Sequence, residues 1–133
     1  IIKRLKEESD VIILDFHAAT TAEKYSMFFH VDGALTAVIG SHSKALTSDA
    51  AVFPKGTGII GDTGRTGSST GVGGLAPDIE IGKFLTQIPE RSKEWWNDLE
   101  IQGAIIEIDD KGKTDSIKEI RYPVEGAPDD RTR

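Results

Sequence analysis

Apolar positions along the chain fall into short runs and helical stripes rather than one long segment. Val11-Ile12-Ile13-Leu14, followed by Asp15-Phe16-His17, is the continuous apolar run that a buried strand requires. The charged stretch before it, residues 1–10, reads as the end of a helix. Thr20 or Thr21 then offers an N-cap with Glu23 or Lys24 in the first turn, and Tyr25, Phe28 and Phe29 recur at helical spacing until Asp32-Gly33 stops the helix. Residues 35–40 (LTAVIG) form a second buried-type strand. Strand, helix, strand in this order predicts a βαβ crossover with both strand C-termini on one rim. His17 and His42 follow those two ends, which is where open α/β sheets bind ligands. His30, inside the helix beside Phe28 and Phe29, reads as a structural histidine.

Eight of the fourteen glycines lie between residues 56 and 74, too many for a helix and typical of close-approach turns. Gly56, Gly58 and Gly61 match the spacing G-x-G-x-x-G, but Ile59-Ile60 read as strand and residues 62–67 as loop, so the strand-before, helix-after context of a dinucleotide site is missing. Pro77-Asp78 opens a helix that stops before Pro89 and is expected to bury Ile79, Ile81, Phe84, Leu85 and Ile88. Trp95-Trp96 in a charged segment reads as a packing anchor under a loop. Residues 101–108 and 116–122 alternate as two antiparallel strands about the turn at 109–113, and the polar tail 126–133 is expected to fray.

Composition narrows the chemistry. A net charge of -6 argues against DNA or an anionic membrane as partner, while leaving one local metal or anion site open. No apolar run approaches the roughly 20 residues that span a bilayer. The absence of cysteine removes disulfides, thiol nucleophiles and iron–sulfur ligands, fits a cytoplasmic protein, and leaves His, Asp and Glu as the strong metal ligands. There is no G-x-S-x-G elbow, no H-E-x-x-H and no phosphate loop. A Ser41, His17 and Asp15 set can be assembled on paper, but residues this common make it uninformative.

At family level the pattern is more specific. Residues 15–24, DFHAATTAEK, resemble the D-F-H-A-E-A-T-S-E-K stretch of the bacterial branch of calcineurin-like metallophosphoesterases that includes 2',3'-cyclic-nucleotide 2'-phosphodiesterases. Val31-Asp32-Gly33 and Ala37-Val38-Ile39-Gly40-Ser41-His42 are similar to that branch's L-D-G and A-V-V-G-T-H, and Thr47-Ser48-Asp49 to its T-A-D. Gly61-Asp62-Thr63-Gly64-Arg65-Thr66-Gly67 resembles T-D-V-G-M-T-G, and Lys83-Phe84-Leu85-Thr86-Gln87-Ile88-Pro89 resembles R-F-L-T-Q-L-P. The likeness is collinear over residues 11–120.

The resemblance implies an α/β fold that is part of a two-sheet sandwich flanked by helices, with a mixed sheet and metal ions held at the strand ends. It makes His17 and His42 ligands of one metal. Lys44 stands where the family has the histidine of the second metal, and an ammonium offers no lone pair to a cation. Ala19 replaces the family's glutamate. The remaining family ligands lie in its N-terminal half, and neither the single asparagine, Asn97, nor His30 replaces them.

The chain begins at Ile1 and its one methionine is Met27, which reads as a processed product or a cut piece of something longer, and the resemblance implies that residues 1–125 are the C-terminal half of a metallophosphoesterase-like domain, with 126–133 a tail. The implied parent is a metal-dependent phosphoesterase acting on phosphodiesters such as cyclic nucleotides, with iron, manganese or zinc as cofactor and this chain alone not competent. Lys44 and Arg65 are the expected substrate-proximal residues, and a small phosphoester the partner. The alternative is a degenerate domain without metal that acts as a binding or structural module, in a homo-oligomer.

Overall fold

The structure, a computed structural model, describes residues 1–125; the tail expected to fray lies outside the described residues. The described chain forms two compact units, Ile1–Gly64 with Gln102–Ile120, and Arg65–Ile101 with residues 121–125.

The first unit opens with α1 (Ile2–Glu8), followed by β1 (Ile13–His17), α2 (Thr21–Val31), β2 (Ala37–Ser41), β3 (Ala51–Val52) and β4 (Gly58–Ile60). The strands form one sheet in the order β1-β2-β4-β3. β1, β2 and β4 are parallel and β3 is antiparallel to β4, so the sheet is mixed as expected. Helix α2 starts where the sequence places it. Thr20 accepts from the Glu23 backbone N–H at 3.2 Å while the Glu23 carboxylate accepts from the Thr20 N–H at 3.0 Å, a reciprocal capping box. That backbone N–H and then the Thr20 hydroxyl hold the Glu23 carboxyl below the usual glutamate range. The far side of α2 packs on the sheet. Phe28, Val31, Leu35, Val38 and Ile59 form the buried core, with Tyr25, Met27 and Phe53 packed against it.

Hydroxyls substitute for apolar groups where the strands begin. Thr57 donates to the Leu35 carbonyl at 2.7 Å and accepts from the Gly33 N–H, and Thr36 donates to the Gly112 carbonyl and accepts from the Ile12 N–H. No buried side-chain polar atom among the described residues lacks a partner. That full pairing is what a stable interior requires.

A second sheet has the order β5-β6-β7, from β5 (Gly67–Ser68), β6 (Leu99–Ile108) and β7 (Thr114–Pro123). β6 and β7 are hydrogen-bonded neighbours joined by the expected turn, in which the Asp109 N–H donates to the Lys113 carbonyl and the Gly112 N–H to that of Asp109. Together the two sheets and three helices make the α/β architecture the sequence implies.

In the second unit, α3 (Pro77–Thr86) has Pro77 in its first turn. Its apolar stripe does not face inward as expected. Ile79 is buried, but Ile81, Phe84, Leu85 and Ile88 are 53%, 78%, 80% and 66% exposed. The inward side instead carries Ile79 and Glu80, whose carboxylate accepts from Lys83 at 2.9 Å. Helical periodicity shows that a helix has an apolar side, not that the same chain covers it. The tryptophans divide. Trp95 donates to Thr70 at 3.1 Å and lies where a Cβ on Gly71 would meet it, an anchor as expected, whereas Trp96 is half exposed.

Candidate active site

The parallel pairing of β1 with β2 aligns His17 with Ser41, so the two strands end level with each other. His42 is the next residue. The expected common rim therefore exists, and it brings the two histidines together: His42 Nδ1 lies 3.1 Å from His17 Nε2, with the rings edge to face and their centroids 5.0 Å apart. Both side chains are exposed.

A short relay sets the proton on His17. Its Nδ1 lies 3.1 Å from the Ser41 hydroxyl, and that hydroxyl donates to Asp15 Oδ1 at 3.4 Å. With its one proton directed at Asp15, Ser41 can only accept from His17, which puts a ring hydrogen on Nδ1 and leaves Nε2 as the nitrogen facing His42. The same arrangement rules against a serine nucleophile. In a Ser/His/Asp triad histidine is the middle member, whereas here serine is.

The donors fit a metal in part. Two imidazole nitrogens 3.1 Å apart on one rim are close enough that both would serve as donors to one ion. A hydrogen held by Ser41 on the remote nitrogen is the usual support for such a ligand. No group of three or more His, Asp or Glu side chains able to hold an ion occurs among the described residues, so His17 and His42 are two donors and not a complete site.

The loop that carries His42 departs from ordinary backbone. His42 has φ of 134° and Lys44 of 58°, both in the region that favours glycine. What holds this loop is a group the sequence alone did not single out. Asp62, 1% exposed, accepts at Oδ2 from the Ser43 N–H at 2.8 Å and from Lys24 Nζ at 3.1 Å, and at Oδ1 from the Gly64 N–H at 3.0 Å. Burial opposes the charge on Asp62, yet the bonds from Ser43, Lys24 and Gly64 together hold its carboxyl below the ordinary aspartate range. Lys24 is itself 6% exposed. It lies in phase with Phe28 and Val31 on the buried side of α2, and a lysine inside an apolar stripe is the signal that could have exposed the pair.

Asp49 forms a second brace. It accepts from Thr47 at 2.6 Å, from the Gly61 N–H at 2.9 Å and from Tyr25 at 3.1 Å. Burial works against its charge, but these bonds outweigh it and lower its pKa; burial and the Asp49 charge together raise that of Tyr25. Gly40 and Gly61 are needed here for space. A Cβ on Gly40 would fall on the Gly61 carbonyl oxygen, and one on Gly61 would lie 2.5 Å from the Asp49 carboxylate.

Lys44 lies two residues beyond His42 on the same loop, exposed. Arg65 belongs to the second unit, where its Nε donates to the Ser68 carbonyl at 3.2 Å. The Gly56, Gly58 and Gly61 spacing spans strand β4 rather than a strand-to-helix turn, in keeping with the rejection of a dinucleotide site.

Comparisons with known proteins agree with this architecture. The chain is 34% identical over 113 residues to the 2',3'-cyclic-nucleotide 2'-phosphodiesterase of Bacillus subtilis, a match covering 85% of this chain and 43% of that protein. Among solved structures it is similar to a hypothetical protein from Thermus thermophilus, with a TM-score of 0.83 and 27% identity over 96% of this chain and 50% of the other. It is also similar to a novel phosphatase from Mycoplasma pneumoniae, with a TM-score of 0.82 and 30% identity over 92% of this chain and 46% of the other. The chain thus spans about half the length of the relatives it matches. With the model of the YmdB-like protein family matching residues 1–120, the chain belongs to that family.

Proposed function

We propose that the protein is a phosphodiesterase that uses a divalent metal ion, and that this chain contributes two of the metal's donors, His17 and His42. The observation that carries the reading is the convergence of His17 Nε2 and His42 Nδ1 to 3.1 Å at the ends of adjacent parallel strands. Similarity to a 2',3'-cyclic-nucleotide 2'-phosphodiesterase supports small cyclic phosphodiesters as substrates. Iron, manganese and zinc all suit imidazole donors. A bound dication would supply charge neutralisation at the phosphoryl oxygens.

The chain's own residues prepare that site. Asp15 and Ser41 orient the His17 ring, so its Nε2 faces His42. Asp62 and Lys24 hold the loop that carries His42. Lys44, on that loop, supplies a positive charge for a phosphate oxygen. Two donors do not complete a catalytic site, so the further ligands come from outside the described residues and the chain alone is inactive.

Lys44 also motivates a second reading, a domain that has lost one metal position and acts as a non-catalytic module. Metal analysis of the full-length gene product separates the two, with turnover of bis-p-nitrophenyl phosphate and 2',3'-cyclic AMP measured in manganese or iron. The enzyme reading expects stoichiometric metal, turnover, and loss of both in His17→Ala and His42→Ala. Absence of metal and turnover in the full-length product would overturn it in favour of the module.

A further inference from the structure

The opposite end of the same sheet holds a second feature. Where β1, β2 and β4 begin, a cavity of about 220 Å³ is lined by Lys6, Lys55, Lys111 and Lys113, with Asp10 as the one carboxylate in its wall. Four exposed lysines bordering one small space stand out in a protein of net charge -6.

Among the described residues these lysines form no ion pair. The ion pairs among the described residues are Arg4 with Glu8, Lys24 with Asp62, Lys83 with Glu80 and Arg121 with Glu100, and none uses a cavity lysine. Nearby carboxylates are directed at the backbone instead. Asp32 accepts from the Lys55 N–H at 3.2 Å, and Asp109 accepts from the N–H groups of Lys111 at 2.9 Å and Lys113 at 2.8 Å. They brace the loops that carry the lysines. Lys113 is held further, because its Nζ donates to the Lys55 carbonyl at 2.9 Å, and two of its three N–H bonds remain for a ligand. Lys113 also lies across Gly56, where a Cβ would come within 3.0 Å of its Cδ.

We infer that this cavity is an anion site for a phosphate group of two or more negative charges, separate from the histidine rim. Lysines of one sign bordering one space raise the local positive potential, which favours a multiply charged anion there. Lysine, a point charge with rotatable donors, suits phosphate without demanding one fixed geometry. The cavity lies at the strands' N-terminal ends, so its occupancy is independent of the metal reading at their C-terminal ends.

The test is a titration of the full-length gene product with pyrophosphate, ADP and adenosine, followed by ¹H–¹⁵N correlation spectra and calorimetry. Pyrophosphate is expected to move the amide resonances of Gly33, Gly56 and Gly112, which line the cavity. Each of Lys55→Gln and Lys113→Gln should weaken binding about two- to fivefold, as for an exposed ion pair, and binding should weaken again as salt rises. Lys111→Glu is a second variant at an exposed position and should weaken binding further. Tighter binding of ADP than of pyrophosphate would support a phosphate carried on a nucleoside, and equal binding a free phosphate. The inference is overturned if pyrophosphate leaves the three glycine resonances unmoved, if the lysine variants bind as tightly as the parent, or if adenosine alone binds there.

Discussion

Replacing Lys24 by Met tests whether the buried pair behind the rim holds the site. Lys24 and Asp62 are 6% and 1% exposed and 3.1 Å apart, so Lys24→Met keeps the volume of α2's inner side but strands a carboxylate in the interior. Removing one partner of a buried pair costs 3–5 kcal/mol, and Asp62 retains the N–H groups of Ser43 and Gly64, so the low end, about 3 kcal/mol, is expected. Asp62→Asn strands the ammonium and should cost about the same. The double variant contains no buried charge and should cost no more than either single one, a coupling of about 3 kcal/mol. Urea unfolding followed by circular dichroism measures all three. The sign of the pH dependence gives a second check. In the parent the Asp62 pKa is lowered, so its contribution is fully present above the unfolded value of about 3.9 and is lost as pH falls through the folded one. In Lys24→Met burial is less well opposed and raises that pKa, so the deficit should be largest near neutral pH and shrink on acidification. Single variants costing under about 0.5 kcal/mol with additive effects would refute the reasoning, because that is how surface substitutions behave.

Ser41→Ala removes the acceptor that orients the His17 ring and should lower metal affinity of the full-length gene product ten- to hundredfold, measured by competition with a chromogenic chelator. Thr20→Ala breaks the capping box and should cost about 1 kcal/mol in urea unfolding. Phe84→Ser with Leu85→Ser should change stability by less than about 0.5 kcal/mol each in urea unfolding, since both side chains are largely exposed.

The βαβ core was legible because each of its parts is a local signal: a continuous apolar run, a capping box, an apolar stripe and a second run. The same locality explains the error at α3. Its stripe of Ile81, Phe84, Leu85 and Ile88 is real, but which side is covered depends on groups distant in sequence. At the rim, His17 and His42 were legible because the end of a parallel strand is a position that sequence order fixes. Lys24 and Asp62 were not, since charged residues are ordinarily solvated and these two meet across 38 positions. Their pairing is a property of the packed chain and has no counterpart in either neighbourhood read alone.

The contact between Gly40 and Gly61 has a consequence for anyone altering this site. Because main chain meets main chain there, the spacing between the strand bearing Ser41 and the segment bearing Asp62 contains no side chain that could be enlarged, trimmed or repacked. Drift elsewhere in the core can change stability while leaving the rim's dimensions intact. A programme to alter the rim should therefore leave positions 40 and 61 untouched and work outward from position 44, where the loop is open to solvent. The rim behaves as a fixed gauge on which only the tips can be exchanged.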